Sequence, residues 1–334
     1  MPTVRDLRDR IRSLKNTQQI TKAMKQVAAA KIRRAEAAQK RARPYADALA
    51  EMLTDLMGAV TSVDHPFMKP GREGAPAGIV LITADKGLAG AFNSNAIAAA
   101  EVFARTQSAV KYYTIGTKAR NAVRRMGMPD HRTWTLGAPS KIETAREAAT
   151  AATDDFNSGA ISQIVLVSQK LVTMMSQRPQ TRKLVPIETT LSASERSERN
   201  PERSSERGVA EAKNESNKTT LSASGRSERS PERSSERDVV ESKNESKGAI
   251  EFAPSPEFVL SRLLPKYLEF TIYSAMLETD AAFFAAQLVA MTNATDNASK
   301  LIDELTIAMN NARQAAITKE LLEIVAGAEA LGAA

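Results

Sequence analysis

The two ends of this 334-residue chain are long segments that contain neither proline nor aromatic residues over 3–43 and 285–334. The first segment also lacks glycine and is rich in Ala, Arg, Lys and Gln, which are good helix formers. A helix of that length extends for about 60 Å at 1.5 Å per residue, far longer than an average globular helix. Because such helices do not fit inside a small compact body, we predict that the two ends pack against each other.

Apolar and small residues recur along both segments at spacings of three and four, which is typical of a coiled coil. In the N-terminal segment they are Leu7, Ile11, Leu14, Ile20, Met24 and Val27, and the pattern resumes after Pro44 with Leu49, Leu53 and Leu56. In the C-terminal segment they are Leu288, Met291, Thr295, Ala298, Ile302, Leu305, Met309, Ala312 and Ala316. The sequence predicts an antiparallel coiled coil, with Thr3 and Asp6 as a capping pair and a kink or break at Pro44. Two surface helices of one globular domain are the alternative.

Charge is distributed unevenly between the two ends. Residues 1–43 hold 13 Lys and Arg against 3 Asp and Glu, a net charge of +10, whereas residues 249–334 hold 5 against 11, a net charge of −6. The whole chain carries +7, which by itself suggests nucleic acid or another acidic partner. A basic surface for nucleic acid does not require an acidic second end. We therefore interpret the opposition as attraction between the two helices, although each exposed pair is worth only about 0–1 kcal/mol.

Short β-branched runs alternate with helical patterns in the middle of the chain. The runs are Gly78–Thr83, Val110–Ile115 and Ile161–Ser168, and the helical stretches lie near 93–106, 117–126 and 140–157. This alternation predicts a parallel sheet with crossover helices. The predicted fold class is α/β: a long antiparallel coiled coil of the N- and C-terminal helices with a small inserted parallel-sheet α/β domain. The corresponding boundaries are 1–60 for the N-terminal helix, 75–188 for the α/β domain, 189–248 for an insert, 249–270 for a return to the α/β domain and 271–334 for the C-terminal helix.

The insert is a tandem repeat of two 30-residue units, 189–218 and 219–248, which match at 23 positions. It is rich in Ser, Glu and Arg and has almost no apolar residues, so we predict a disordered loop. A regulatory segment that is phosphorylated or folds on a partner is the alternative.

No residue set in the chain has the pattern of an active site. Cysteine is absent and His65 and His131 are the only histidines, which disfavours thiolate chemistry and the usual zinc sites. The loop from Thr83 to Asn93 carries Gly87 and Gly90 but matches neither phosphate-binding glycine motif, so a structural turn is favoured over a nucleotide site. We expect no enzyme activity, cofactor, metal or membrane-spanning helix.

Polar and apolar residues near the C-terminus are candidates for contacts with a partner that encircles the helix. Arg313, Gln314, Thr318 and Glu320 lie within about two helical turns. An apolar end follows, with Leu322, Ile324, Val325 and Leu331. For the polar group, composition alone favours an ordinary coiled-coil exterior. The apolar end is consistent with a helix tip enclosed in a hydrophobic sleeve.

Three motifs resemble the γ subunit family of F-type ATP synthases, the central rotor shaft. They are IRSLKNTQQITKAMKQVAAAKIRRA (Ile11–Ala35), TADKGLAGAFN (Thr83–Asn93) and AMTNATDNASKLIDELTIAMNNARQAAITKELLEIVAGAEAL (Ala290–Leu331). The resemblance covers the chain apart from the insert. It implies a non-catalytic subunit that transmits rotation between the membrane ion-driven rotor ring and the catalytic head during ATP synthesis or hydrolysis.

The resemblance also implies partners and contact residues. The partners are the alpha and beta subunits of the catalytic head, the epsilon subunit and the membrane c-ring, with no nucleic acid. Met24 and Lys25 match a segment that faces an acidic lever loop of the catalytic subunit, and the polar group of 313–320 matches contacts to other catalytic-subunit loops. The implied location is the cytoplasmic face of a bacterial inner membrane, as a peripheral protein.

The chain departs from the family pattern between residues 282 and 288. Ala282-Phe283 and Gln287-Leu288 stand where the family usually has Ser-Glu and Arg-Met.

Two other functions remain as alternatives: a basic coiled coil that binds nucleic acid, and an α/β enzyme that uses the Gly87–Gly90 loop.

Overall fold

A computed structural model describes residues 3–59, 65–128, 130–187 and 256–332 of the chain, which belong to one compact unit. In chain order the regular elements are α1 (Val4–Ala59), a 3₁₀ turn (Pro66–Met68), β1 (Ala77–Ile82), α2 (Phe92–Arg105), β2 (Val110–Ile115), α3 (Thr117–Arg125), β3 (Asp130–Trp134), α4 (Lys141–Asn157), β4 (Gln163–Thr173), β5 (Ser176–Val185) and α5 (Pro256–Gly332). The predicted repeat insert at 189–248 lies outside the described residues.

The two long helices pack against each other in antiparallel orientation, as predicted. Thr3 and Asp6 form the predicted cap: the Asp6 N–H donates to the Thr3 hydroxyl at 3.2 Å, and the Thr3 N–H donates to the Asp6 carboxylate at 3.1 Å. These hydrogen bonds lower the pKa of Asp6. Helix α1 continues through Pro44, which lies on an exposed face, so the predicted break does not occur.

Three contacts define the register of the two helices. They are Tyr45 with Phe270 (ring centroids 4.5 Å apart), Lys31 over the ring of Phe284 (5.3 Å) and Thr21 with Thr295 (2.9 Å between the hydroxyl oxygens). As the residue number falls along α1, the number of its partner on α5 rises by the same amount, to within one residue. The same relation places Val4, where α1 begins, beside Ala312. Residues 313–332 of α5 therefore continue past the end of α1 as a single helix, which we call the overhang.

The buried seam of α1 differs from the predicted stripe in one stretch. Leu7 and Ile11 are buried as expected, but Ile20 and Val27 are 60% and 54% exposed. The seam instead passes through Thr21 and Ala28, which keep the alternating spacing in step with Ile11. The predicted stripe is therefore wrong at Ile20 and Val27. Hydropathy does not identify a small or polar residue that faces the partner helix.

The stripe on α5 follows the predicted positions as far as Ala312, which is half-buried, and then ends. Ala316, predicted to continue it, is exposed. The physical reason is the register, since α1 has no residue that reaches beyond Ala312.

The sheet has the order β3-β2-β1-β4-β5, with four parallel strands and an antiparallel fifth. The α/β class is confirmed, and the sheet is mixed rather than wholly parallel. Strands β1, β2 and β4 lie where the sequence predicts strands, whereas β3 and β5 were not anticipated. Strand β5 reads Ser-Gln-Arg-Pro-Gln-Thr-Arg-Lys before its apolar end. Such a polar strand resembles a loop by composition and depends on its hairpin with β4.

Helix α5 is continuous from Pro256, so residues 256–270 are its first turns. The part of α5 up to Ala286, which we call its lower part, packs on α4, β4 and the loop after β1 of the α/β domain. Helix α1 packs on α5 from Phe270 towards the C-terminal end of α5. One helix therefore belongs to both the domain and the coiled coil.

Candidate functional site

The predicted contact residues form two groups along the helices. Met24 is half-buried in the flank of the coiled coil, and Lys25 beside it is exposed. The register places Met24 near residue 292, so about 20 residues of α5, or about 30 Å, separate it from Arg313. The structure therefore does not bring the two groups together, and any partner that contacts both must extend along the helices.

A groove between α1 and α5 lies directly beside Lys25. It encloses about 500 Å³ and is lined by Gln18, Gln19, Lys22, Lys25, Gln26, Ala29, Leu288 and Thr295. Side-chain amides and lysine ammonium groups dominate the α1 wall. Such a lining presents hydrogen-bond donors and positive charge, which suits acidic or carbonyl-rich segments.

The second group lies entirely on the overhang. Arg313, Gln314, Thr318 and Glu320 are all exposed. Seven residues separate Arg313 from Glu320, so the two share one face of the helix. Gln314 and Thr318 share another face, where the Thr318 hydroxyl donates to the Gln314 carbonyl at 3.0 Å. Polar groups thus point in different directions around a single helix.

The apolar end of the overhang is exposed on the isolated chain. The exposed fractions of Leu322, Ile324 and Val325 all exceed half, and Leu321 and Ile317 below them are similarly open. Leu331 lies in the last turn of α5, and its side chain is not among those described. A large apolar exposure on one helix tip indicates that another molecule covers it.

In the loop after β1, the side chain of Asp85 accepts the hydrogen bonds that a bound anion would otherwise accept. One oxygen of Asp85 accepts from the N–H of Thr117 at 2.9 Å, at the start of α3, and the other accepts from the N–H of Gly137 at 2.8 Å. Asn93 closes the loop from the other side by accepting from the Ala84 N–H at 3.0 Å. An anion at a helix N-terminus is the place where a phosphate would bind, so these contacts favour the structural turn over a nucleotide site.

This loop also has buried contacts with α5. Ala84, Ala89 and Phe92 pack in one cluster with residues Ala282, Phe283 and Ala286 of α5. The Phe92 and Phe283 rings lie 5.8 Å apart in an edge-on arrangement. Phe283 therefore ties the turn after β1 to the coiled-coil helix, a role that its departure from the family pattern did not reveal.

The sequence also missed a set of charged groups where α5 lies on the domain. Glu269 and Asp280 contact lysine or arginine side chains of α4 or α5. Burial raises the pKa of Glu278, opposed by the N–H of Leu171 and by Lys170. The missed signal was three acidic residues at 269, 278 and 280 in an otherwise apolar stretch.

Among the described residues, no group of three or more His, Cys, Asp or Glu side chains is placed to hold a metal ion. Within the same part of the chain, no helix has the length and apolar character needed to cross a membrane.

The chain is similar in sequence to bacterial proteins of one kind. A protein-family model described as ATP synthase matches residues 3–331. The ATP synthase gamma chain of Heliobacterium modesticaldum is 37% identical over 333 residues, and that of Pelotomaculum thermopropionicum is 39% identical over 333 residues. In both cases the match covers 99% of this chain and 100% of the relative.

Solved structures share the fold at low sequence identity. A chain of the Euglena gracilis mitochondrial ATP synthase (OSCP/F1/c-ring) superposes with a TM-score of 0.59 at 17% identity, covering 99% of this chain and 95% of its own. A chain of the Tetrahymena thermophila mitochondrial ATP synthase (central stalk/c-ring) gives 0.52 at 18% identity, covering 82% and 99%. The resemblance drawn from the three sequence motifs is confirmed, and the chain belongs to the ATP synthase gamma chain family.

Proposed function

We propose that this chain is the central shaft of a rotary ATP synthase. It transmits rotation between the membrane ion-driven rotor ring and the catalytic head during ATP synthesis or hydrolysis. The observation that carries the proposal is the overhang: a bare helix with polar groups on several faces and an apolar tip, held in line by an antiparallel coiled coil. Such a helix is stable in place only when other subunits surround it.

The coiled coil and the α/β domain perform different tasks in this proposal. The coiled coil supplies stiffness, because two helices packed along a shared seam resist bending more than one. The α/β domain supplies a broad base for the epsilon subunit and the c-ring. The alpha and beta subunits of the head surround the overhang and the upper coiled coil.

The contact residues act at two heights in the head. Met24 and Lys25 face an acidic lever loop of the catalytic subunit, beside the groove lined by amides and lysines. Arg313, Gln314, Thr318 and Glu320 hydrogen-bond to catalytic-subunit loops nearer the tip. Exposed positive charge attracts acidic loops over about 8–10 Å with little dependence on geometry, which suits a surface that meets three copies of the loop in turn.

The tip acts as a bearing. Leu322, Ile324, Val325 and Leu331 lie in a hydrophobic sleeve made by the alpha and beta subunits. Aliphatic side chains gain energy from burial without directional hydrogen bonds, so the tip is held at every angle of rotation.

The chain itself carries no catalytic site in this proposal, and nucleotide chemistry belongs to the head. The Asp85 carboxylate at the start of α3 supports this, because it takes the position that a phosphate would need. We also propose that the chain is peripheral, at the cytoplasmic face of the inner membrane of a bacterium, where it meets the ring. Binding of nucleic acid, the alternative reading of the basic end, receives no support from the relatives.

Reconstitution tests the proposal. The chain is mixed with the alpha, beta and epsilon subunits of the same bacterium, and assembly and ATP hydrolysis are measured with and without it. We expect a stable complex whose rotation is visible when a bead is attached to the α/β domain. A complex that hydrolyses ATP equally well without the chain, or a chain that binds duplex DNA with steep salt dependence and no head subunits, would contradict it.

A further inference from the structure

One side of the lower part of α5 is tied to α4 by charged groups. Arg146 Nε of α4 lies 3.1 Å from one carboxylate oxygen of Glu269, and Lys266 of α5 lies 2.9 Å from the other. Lys141, the first residue of α4, pairs with Asp280. The Glu269 side chain is almost buried, and Lys141 and Asp280 are mostly shielded from water. Shielding makes the Lys141–Asp280 pair stronger than an open surface pair. Arg146 and Lys266 are more than half exposed, so water weakens their attraction to Glu269.

The other side of α5 is tied to the hairpin of β4 and β5. Arg182 of β5 donates to the Tyr267 hydroxyl at 3.0 Å. The Glu278 carboxylate accepts from the N–H of Leu171 in β4 and is attracted by Lys170. These contacts come from strands, whereas those of Glu269 and Asp280 come from a helix.

Helix geometry shows that the two sets lie on opposite faces. At 3.6 residues per turn, Asp280 lies about 20° around the axis from Glu269, since eleven residues separate them. Glu278 lies about 180° from Glu269, and Tyr267 about 160°. Helix α5 is therefore held on two sides, by α4 on one and by the β4–β5 hairpin on the other.

The apolar surface that α4 contributes consists mostly of small side chains. The buried side chains of α4 are mostly alanines, at 145, 148, 149, 151 and 152. Alanines let two helices approach closely but interdigitate less than larger side chains, so directional contacts contribute to holding the helix angle. Ion pairs with α4 on one side and polar contacts with the β4–β5 hairpin on the other oppose rolling of α5 on the domain, because rolling moves the paired groups apart.

We propose that these two sets of polar contacts form a torsional clamp, which stops α5 from rolling against the α/β domain under load. The inference rests on the proposed function, since only a shaft under torque needs it. Glu269, Asp280 and Glu278 are then positioning residues that set how much of the rotation reaches the domain. If α5 rolled against the domain, part of the elastic twist of the shaft would be lost. ATP would then be hydrolysed without matching ion transport.

The test uses the whole enzyme in inverted membrane vesicles, where ATP hydrolysis and ATP-driven ion pumping are measured together. Asp280→Lys places an ammonium against Lys141, and the exchange Lys141→Asp with Asp280→Lys restores the pair. We expect the single reversal to lower ions pumped per ATP by about threefold, equal to a coupling of about 0.7 kcal/mol, and the exchange to recover most of it. Asp47→Lys breaks an exposed pair with Arg43 inside α1 and serves as the matched control, with no change expected.

The outcomes separate the clamp from the proposed function and from plain stability. A wild-type complex that does not pump overturns the proposed function and the clamp with it. A pumping wild type whose ratio is unchanged in Asp280→Lys overturns the clamp alone. Asp280→Asn and the melting temperature of each variant complete the test: if the variants melt earlier but pump normally, the pairs only stabilise the fold and the clamp is wrong. An uncoupled reversal rescued by the exchange supports it.

Discussion

Phe283 provides the sharpest test of how the helix and the α/β domain are joined. Its side chain is 5% exposed and contacts the Phe92 ring edge-on, in the cluster with Ala84 and Ala89. Truncation to alanine removes the ring and leaves a cavity, because the neighbouring alanines are too short to fill it. Burial of this kind predicts a loss of about 3–5 kcal/mol in the free energy of unfolding for Phe283→Ala. For a folded unit of this size, that corresponds to a fall of about 10 °C in melting temperature.

The single tryptophan, Trp134, reports the transition from inside the α/β domain. Its indole N–H donates to Glu147 at 2.8 Å, so its fluorescence changes when β3 and α4 separate. The matched control is Phe258→Ala, since Phe258 lies on the same helix, is 49% exposed and contacts Arg262 at 5.5 Å. That change should cost less than about 1 kcal/mol.

The reasoning is refuted if Phe283→Ala melts within about 2 °C of the wild type, or no earlier than Phe258→Ala. Either result would mean that the turn after β1 does not depend on α5 for its position. Phe283→Glu, which restores the residue usual in the family, should be at least as damaging here, because it buries a carboxylate among apolar side chains.

Three further results are expected. Asp85→Ala leaves two backbone N–H groups without their acceptor. It should lower the free energy of unfolding, measured by chemical denaturation, by about 1–3 kcal/mol. An unchanged denaturation midpoint would make the loop a candidate ligand site again. Burial raises the pKa of Glu278 above its ordinary value of 4.5. The native state therefore keeps the proton to higher pH than the unfolded state, and stability falls as the pH rises from about 4.5 through the raised pKa. Glu278→Gln should flatten this fall when urea midpoints are measured across pH, and an equally steep profile would contradict the reasoning. Lys25→Ala and Arg33→Ala should each leave coupled ATP synthesis close to wild type, because many basic groups of α1 share the attraction, and loss of synthesis in either variant would show that one contact dominates.

The sequence alone determined the parts of the fold that depend on local preference. Residues 4–43 are helical because helix formers follow one another without interruption. The strands β1 and β4 form because their β-branched runs are buried on both faces, and β2 is buried from Tyr112 onward. The polar group at 313–320 and the apolar end of the overhang could likewise be located from the residue types. The family followed from motifs within these same segments.

Only the tertiary structure decided which residues face each other. Ile20 and Val27 are exposed and Thr21 is buried, because the seam of α1 is set by the approach of α5 and not by hydropathy. Strand β5 exists because β4 supplies the hydrogen bonds that its polar sequence does not predict. The overhang begins at Arg313 because α1 begins at Val4, 17 residues before the Thr21–Thr295 contact. The pairing of elements, the register of the two helices and the partners of Glu269 and Glu278 are all relations between distant segments. A local sequence pattern carries no information about them.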